Sequence, residues 1–253
     1  MREGCCGRIA SYWTCALGWR SPGRRARGSR ALGVTGLGSL DTPTVPPPWR
    51  VSRLGLALVT LAVVAGSAMG QSVPAWVRCA GGNGISSDGQ IGGCTIVIQS
   101  GRENSQGLAK AFSHRGTAFF VKGDYRRAIQ DYSQVINLDP SNATAFDNRC
   151  WTRATLGLVE EALQDCDQSL RLRPNHAATL STRGFAHLKA GALDAAIADY
   201  DAALATMPQN AYALYGRGLA KLKKADADGN DDLSAAKAIN SDIALEFARY
   251  GLK

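Results

Sequence analysis

The chain has 253 residues, 45% of them hydrophobic and 20% charged. This is a globular composition that excludes a collagen-like or wholly disordered chain and suffices for one ordinary domain. The formal charge of +8 is uneven: residues 1–70 hold nine Arg, no Lys and two acidic residues, whereas residues 71–253 hold 20 basic and 19 acidic ones. The basic excess therefore belongs to a leader, and the folded part offers no global field for DNA, RNA or anionic lipid.

Residues 1–49 are rich in Gly, Arg, Trp and Pro, with Arg24, Arg25, Arg27 and Arg30 crowded together and Pro46, Pro47 and Pro48 near the end. No apolar period runs through them, so they read as a non-folding leader. Two explanations fit: a disordered extension, or a start assigned too far upstream, with Val51 as the alternative start codon. Residues 50–70 read as a signal peptide: Arg50 and Arg53, an apolar run over 54–65, then small residues, with Ala68 and Gly70 placed for cleavage before Gln71. The run is shorter than the ~18 to 20 residues that span hydrocarbon. A membrane anchor through residues 54–69 is the alternative. The expected location is periplasmic or secreted, with no stable membrane insertion once the signal is removed.

Cys5, Cys6 and Cys15 lie in the leader, which leaves Cys79, Cys94, Cys150 and Cys166, an even number that suits an oxidising compartment. Residues 71–107 form a cysteine-bearing N-terminal segment. Cys79 and Cys94 bracket Gly81, Gly82, Gly84, Gly89, Gly92 and Gly93, a stretch that would not hold a shape alone. A disulfide there would close a loop of about 15 residues and contribute about 3 kcal/mol by the chain-entropy model.

From residue 108 the chain repeats itself every 34 residues. The columns are Arg115, Arg149, Arg183 and Arg217; Gly116, Cys150, Gly184 and Gly218; Gly123, Gly157 and Gly191; Ala128, Ala162 and Ala196; Asp131, Asp165 and Asp199; and Pro140, Pro174 and Pro208. Each unit has two stretches of helical apolar spacing, broken near the middle Gly and ended by Pro, so each unit is a helical hairpin. A lone hairpin leaves its apolar stripe uncovered, so neighbours must stack.

These columns resemble the tetratricopeptide repeat family. The units span 109–142, 143–176 and 177–210, with a partial fourth from 211, and the repeat region runs over 108–224. The resemblance implies an all-α, right-handed superhelix of stacked hairpins. Residues 225–253 add a widened turn and capping helices, the last of which covers the open end of the core. One aromatic column departs from the family pattern, with Phe119 followed by Arg153, His187 and Lys221.

Arg115 with Asp131, Arg149 with Asp165 and Arg183 with Asp199 are each 16 apart about a turn, and read as hairpin ion pairs worth less than ~1 kcal/mol each if exposed. Cys150 and Cys166 share that offset. They stand where the neighbouring units have Gly116 with Tyr132 and Gly184 with Tyr200, so a small residue under a ring is replaced, as a pair, by Cys with Cys. A second disulfide is the expectation, and two buried free thiols the alternative.

Nothing points to catalysis, a metal or a cofactor. His114, His176 and His187 are scattered, and no phosphate-cradling Gly loop or nucleophile elbow is present. The acidic turn at 226–232 resembles a calcium loop only superficially, because its sixth position is Asp231 and its twelfth Lys237. It reads as a solvated turn, with Asp231 or Asp232 capping a helix. The family resemblance implies protein or peptide binding on a concave face lined by the first helix of each unit. On that face would stand Phe120, Asp147, Trp151, Phe185, Leu188, Tyr212 and Tyr215. The family's carboxylate-tail clamp needs Lys and Asn where this chain has Ser113, Thr117, Asn148, Ala178 and Thr182, of which only Asn148 fits. The function this implies is an exported protein-binding scaffold. An enzyme or enzyme accessory of the cell envelope and a membrane-tethered structural protein are the alternatives.

Overall fold

The computed structural model describes residues 73–252, Asn83 excepted. The leader, the signal peptide and its cleavage point lie outside the described residues. The described elements are helices in chain order: α1 (Ala75–Ala80), α2 (Ser87–Gln99), α3 (Ser105–Val121), α4 (Tyr125–Leu138), α5 (Ala143–Leu156), α6 (Val159–Leu172), α7 (Ala177–Ala190), α8 (Leu193–Thr206), α9 (Ala211–Lys223), α10 (Gly229–Ile239) and α11 (Ile243–Arg249). Consecutive helices pack as hairpins, α3 with α4, α5 with α6, α7 with α8 and α9 with α10, and each hairpin packs on the next.

Local chemistry sets the boundaries. The first helices of units two to four start under caps that are themselves 34 apart: Asn142, His176 and Asn210 accept hydrogen bonds from the amides of Ala145, Thr179 and Ala213. Such caps satisfy amides that the first helical turn leaves orphaned. The hairpin turns place Gly123, Gly157 and Gly191 at φ of 79°, 89° and 76°, the left-handed region where a Cβ is disfavoured. The fourth hairpin breaks this rule, with Ala225 at φ 62° in the equivalent position. That costs on the order of 1–2 kcal/mol relative to a residue free of the Cβ clash.

The glycine-rich segment forms a helical hairpin of its own. α1 and α2 are joined by the Cys79–Cys94 disulfide, with Cα atoms 4.3 Å apart. Gly93 lets the two backbones touch, since a Cβ there would lie 2.7 Å from the Cys79 amide nitrogen. Ser86 caps α2, and the Gln90 side chain donates to the Cys79 carbonyl. The second disulfide, Cys150–Cys166, ties α5 to α6 with both sulfurs fully buried. In the hairpins either side, Gly116 lies against the Tyr132 ring and Gly184 against Tyr200. The disulfide therefore fills the space that a ring fills elsewhere.

The arginine column is an inter-hairpin ladder. Each Arg binds one Asp through two parallel hydrogen bonds of 2.6–2.9 Å, in the pairs Arg115–Asp131, Arg149–Asp165, Arg183–Asp199 and Arg217–Asp232. The carboxylates are buried, so these are not the weak surface pairs that spacing alone suggests. Each guanidinium also reaches back to the preceding hairpin, through Thr95, Ser133, Asp167 and Asp201 in turn. Asp232 joins the ladder at a spacing of 15, inside the first turn of α10, and makes no capping bond.

The departing aromatic column now has a physical account. Arg153, His187 and Lys221 lie one turn after the ladder arginines and approach the same carboxylates, at 2.5 Å from Asp165, 3.7 Å from Asp199 and 3.2 Å from Asp232. In the first hairpin Phe119 takes that place, and Arg127 stacks on its ring at 4.4 Å. Among the described residues, Asp131 thus has one ion-pair partner where Asp232 has two. Burial pushes the Asp131 carboxyl above the ordinary 3.8 despite Arg115. Burial also raises Asp232, but hydrogen bonds from Arg217 and Lys221 outweigh it and hold that group below 3.8. Asp232 therefore contributes stability that is present above pH 3.8 and lost as pH falls through its lowered folded value. The cost of ionising Asp131 runs the other way and is relieved as pH falls through its raised one. Carboxyl-carbon NMR titration should find Asp131 protonating at a higher pH than Asp232. The reverse order would show that the second cation is immaterial.

Candidate functional site

The first helices place their aromatic residues on one face. Trp151 of α5 lies 4.7 Å from the Phe185 ring of α7 and 5.7 Å from Tyr212 of α9. The 34-residue period puts Trp151 and Phe185 in the same position of adjacent hairpins, which is why they meet. Tyr215, one turn along α9 from Tyr212, completes the group through Phe247 of α11, 4.7 Å away.

α11 lies across this face. Phe247 packs edge-on to Phe185 at 5.9 Å and tilted against Tyr212 at 5.4 Å. Tyr250 meets Trp151 at 5.5 Å and Phe185 at 5.9 Å. Edge-to-face and tilted pairs of this kind are each worth about 0.5–1.5 kcal/mol beyond the area they bury. Polar contacts fix the register: the Tyr212 hydroxyl donates to Glu246, Asn240 donates to the same carboxylate, and Lys189 donates to the Tyr250 carbonyl at 3.0 Å. Burial and the neighbouring Glu246 hold the Tyr212 phenol far above its ordinary range, so it stays a donor. Burial lowers the Lys189 ammonium, which lies 5.8 Å from the Phe185 ring centre.

Of the seven residues expected on the face, Trp151, Phe185, Tyr212 and Tyr215 come together under α11. Phe120 is buried and stacks on Tyr125 at 5.2 Å instead. Asp147 and Leu188 are buried in the hairpin stack. Sequence reasoning did not find Glu246, Phe247, Tyr250 or Lys189 here. The available signal was the spacing of Ile243, Phe247 and Tyr250, which marks one apolar helix face.

The three histidines serve separate tasks. His176 caps α7, His187 faces Asp199, and His114 is half-buried, its pKa lowered by burial and by Lys110. Among the described residues, no group of three or more His, Cys, Asp or Glu is placed to hold a metal ion, and no helix is long and apolar enough to cross a membrane.

A stack of two-helix units with a turn Gly, a helix-ending Pro and a buried Arg–Asp pair defines a helical-hairpin repeat protein. Residues 109–142 match one tetratricopeptide repeat family model and residues 182–240 another, so the hairpins of this stack are tetratricopeptide repeats. A crystal structure of MamA is 21% identical, over 63% of this chain and 91% of that one, with a TM-score of 0.52. MamA 41-end from Desulfovibrio magneticus RS-1 is 16% identical, over 61% and 86%, with a TM-score of 0.53. Both likenesses concern the fold. The mouse (Mus musculus) DnaJ homolog subfamily C member 7 is 34% identical over 55 residues, which are 22% of this chain and 11% of that protein.

Proposed function

We propose that the chain is an exported, protein-binding scaffold whose partner site is the first-helix face of units two to four. The observation that carries this reading is the convergence of Trp151, Phe185, Tyr212 and Tyr215, from three successive hairpins, on a surface that accommodates a helix. Rigid aromatic residues bury much area at little cost in rotamer entropy and dominate binding hot spots. Export to the periplasm or beyond is supported by the apolar run over 54–65 and by two disulfides, which persist outside the reducing cytosol.

A photoreactive phenylalanine analogue placed at Tyr212 should give discrete adducts with another protein in living cells. The same analogue at Leu172, exposed on the second helix of its hairpin, should not. Adducts from Leu172 and none from Tyr212 would move the partner site to the other face. The recovered protein should begin at Gln71, and an intact N-terminus retaining residues 54–65 would overturn export.

A further inference from the structure

α11 behaves differently from every other helix of the repeat region. It has only seven residues and, among the described residues, no hairpin partner, and Leu245 on its outer side is 62% exposed. A helix this short is not stable in water by itself, so its order comes from the surface beneath it. Its buried residues Ile243, Glu246 and Phe247, with the buried Tyr250 just after it, are spaced i, i+3, i+4 and i+7, the anchor pattern of a helix seated in a groove. With Tyr250, the residue that follows it, α11 touches α5, α7 and α9 together, spanning three units as a bound peptide would.

Two further observations concern fit. Three residues, Asn240, Ser241 and Asp242, join α11 to α10, so the segment is held near its site by a short tether. The Trp151 indole N–H is buried with no hydrogen-bond partner among the described residues, so α11 leaves a donor on this face unsatisfied. Leaving a buried donor unmade costs about 1–3 kcal/mol.

We propose that residues 243–252 are a displaceable internal ligand, and that the partner is an amphipathic helix with large apolar residues at i, i+4 and i+7 and a carboxylate at i+3. This rests on reading the first-helix face as the partner site. In the closed chain Glu246 receives the Tyr212 hydroxyl and Lys189 binds the carbonyl end of α11. The incoming helix makes the same two contacts and supplies an acceptor for Trp151. A tethered segment acts at millimolar effective concentration, so the closed chain binds weakly until α11 lifts. The partner's affinity is thereby set by the opening of α11 as much as by its own contacts.

The test uses the full chain and a fluorescent synthetic peptide of residues 241–253 as probe. Phe247→Ala should bind the probe at least about tenfold more tightly than the unaltered chain, because it weakens the internal competitor and leaves the face intact. A probe carrying Glu246→Lys should lose most of that binding. In the unaltered chain, hydrogen exchange of the α11 amides should be faster than that of α5, α7 and α9. Equal probe binding by both folded chains would overturn the proposal. So would α11 amides that exchange only with the whole molecule, or a Phe247→Ala chain that unfolds, since either makes α11 part of the cooperative core. Adducts at Tyr212 combined with a non-opening α11 would remove the displacement and keep the partner site. An opening α11 that binds the probe, without adducts in cells, would do the reverse.

Discussion

Trp151→Ala is expected to lower the unfolding free energy by about 3–5 kcal/mol, the range for removing a large buried aromatic. The indole is 7% exposed and is enclosed by Phe185, Tyr212 and Tyr250. No small movement of one neighbour can fill the space, because the three rings come from α7, α9 and the residue after α11. Denaturant unfolding measures the loss. Hydrogen exchange should show the greatest relative acceleration in α11, a seven-residue helix whose order depends on the aromatic face beneath it, whereas α5, α7 and α9 keep their hairpin partners. A loss below about 1 kcal/mol would mean that the site collapses easily and that the aromatic group is loosely packed.

Arg115→Met is expected to cost about 3–5 kcal/mol, because it leaves the Asp131 carboxylate buried with no ion-pair partner among the described residues. Arg149→Met should cost roughly half as much, since Asp165 keeps the 2.5 Å contact from Arg153. The Arg115→Met penalty should also shrink as pH falls from 7, because the stranded carboxyl, already raised above 3.8 with Arg115 present, rises further and takes up its proton in the folded chain before the unfolded one does. Urea titrations of both variants at pH 7 and pH 3.5 decide it. Equal penalties at pH 7 would mean that Arg153 adds nothing to the pair.

The hairpins were legible because their boundaries are chemical and local. A turn glycine is needed at positive φ, a Pro ends each second helix, and the period registers both. The Cys150–Cys166 pairing was suggested by the same columns, since two cysteines replace a glycine and the ring that covers it. Other features rest on contacts that no single segment displays. α2 contains Gly89, Gly92 and Gly93, residues that weaken an isolated helix; here a disulfide and close packing on α1 hold it. Asp232 falls one residue short of the 34-residue register, because it stands in the first turn of α10 whereas Asp199 lies farther into α8, so constant spacing passes over it. α11 shows its apolar face in the sequence, but whether that face closes the end of the stack or lies along the first helices depends on Trp151 and Phe185, about 100 and 60 residues upstream.

The backward reach of the ladder arginines makes the junctions between hairpins chemically unequal. Arg115 and Arg149 meet hydroxyls, Thr95 and Ser133, whereas Arg183 and Arg217 meet the carboxylates of Asp167 and Asp201, which are about half exposed. Dissolved salt screens the second kind and leaves the first kind nearly untouched. Along the ladder, ionic strength thus acts on the Arg183 and Arg217 junctions more than on the Arg115 and Arg149 ones, and the former lie in the half that carries Tyr212 and α11. A rise in salt loosens the junctions that frame the aromatic face, whereas the hydroxyl contacts of Arg115 and Arg149 stay as they are.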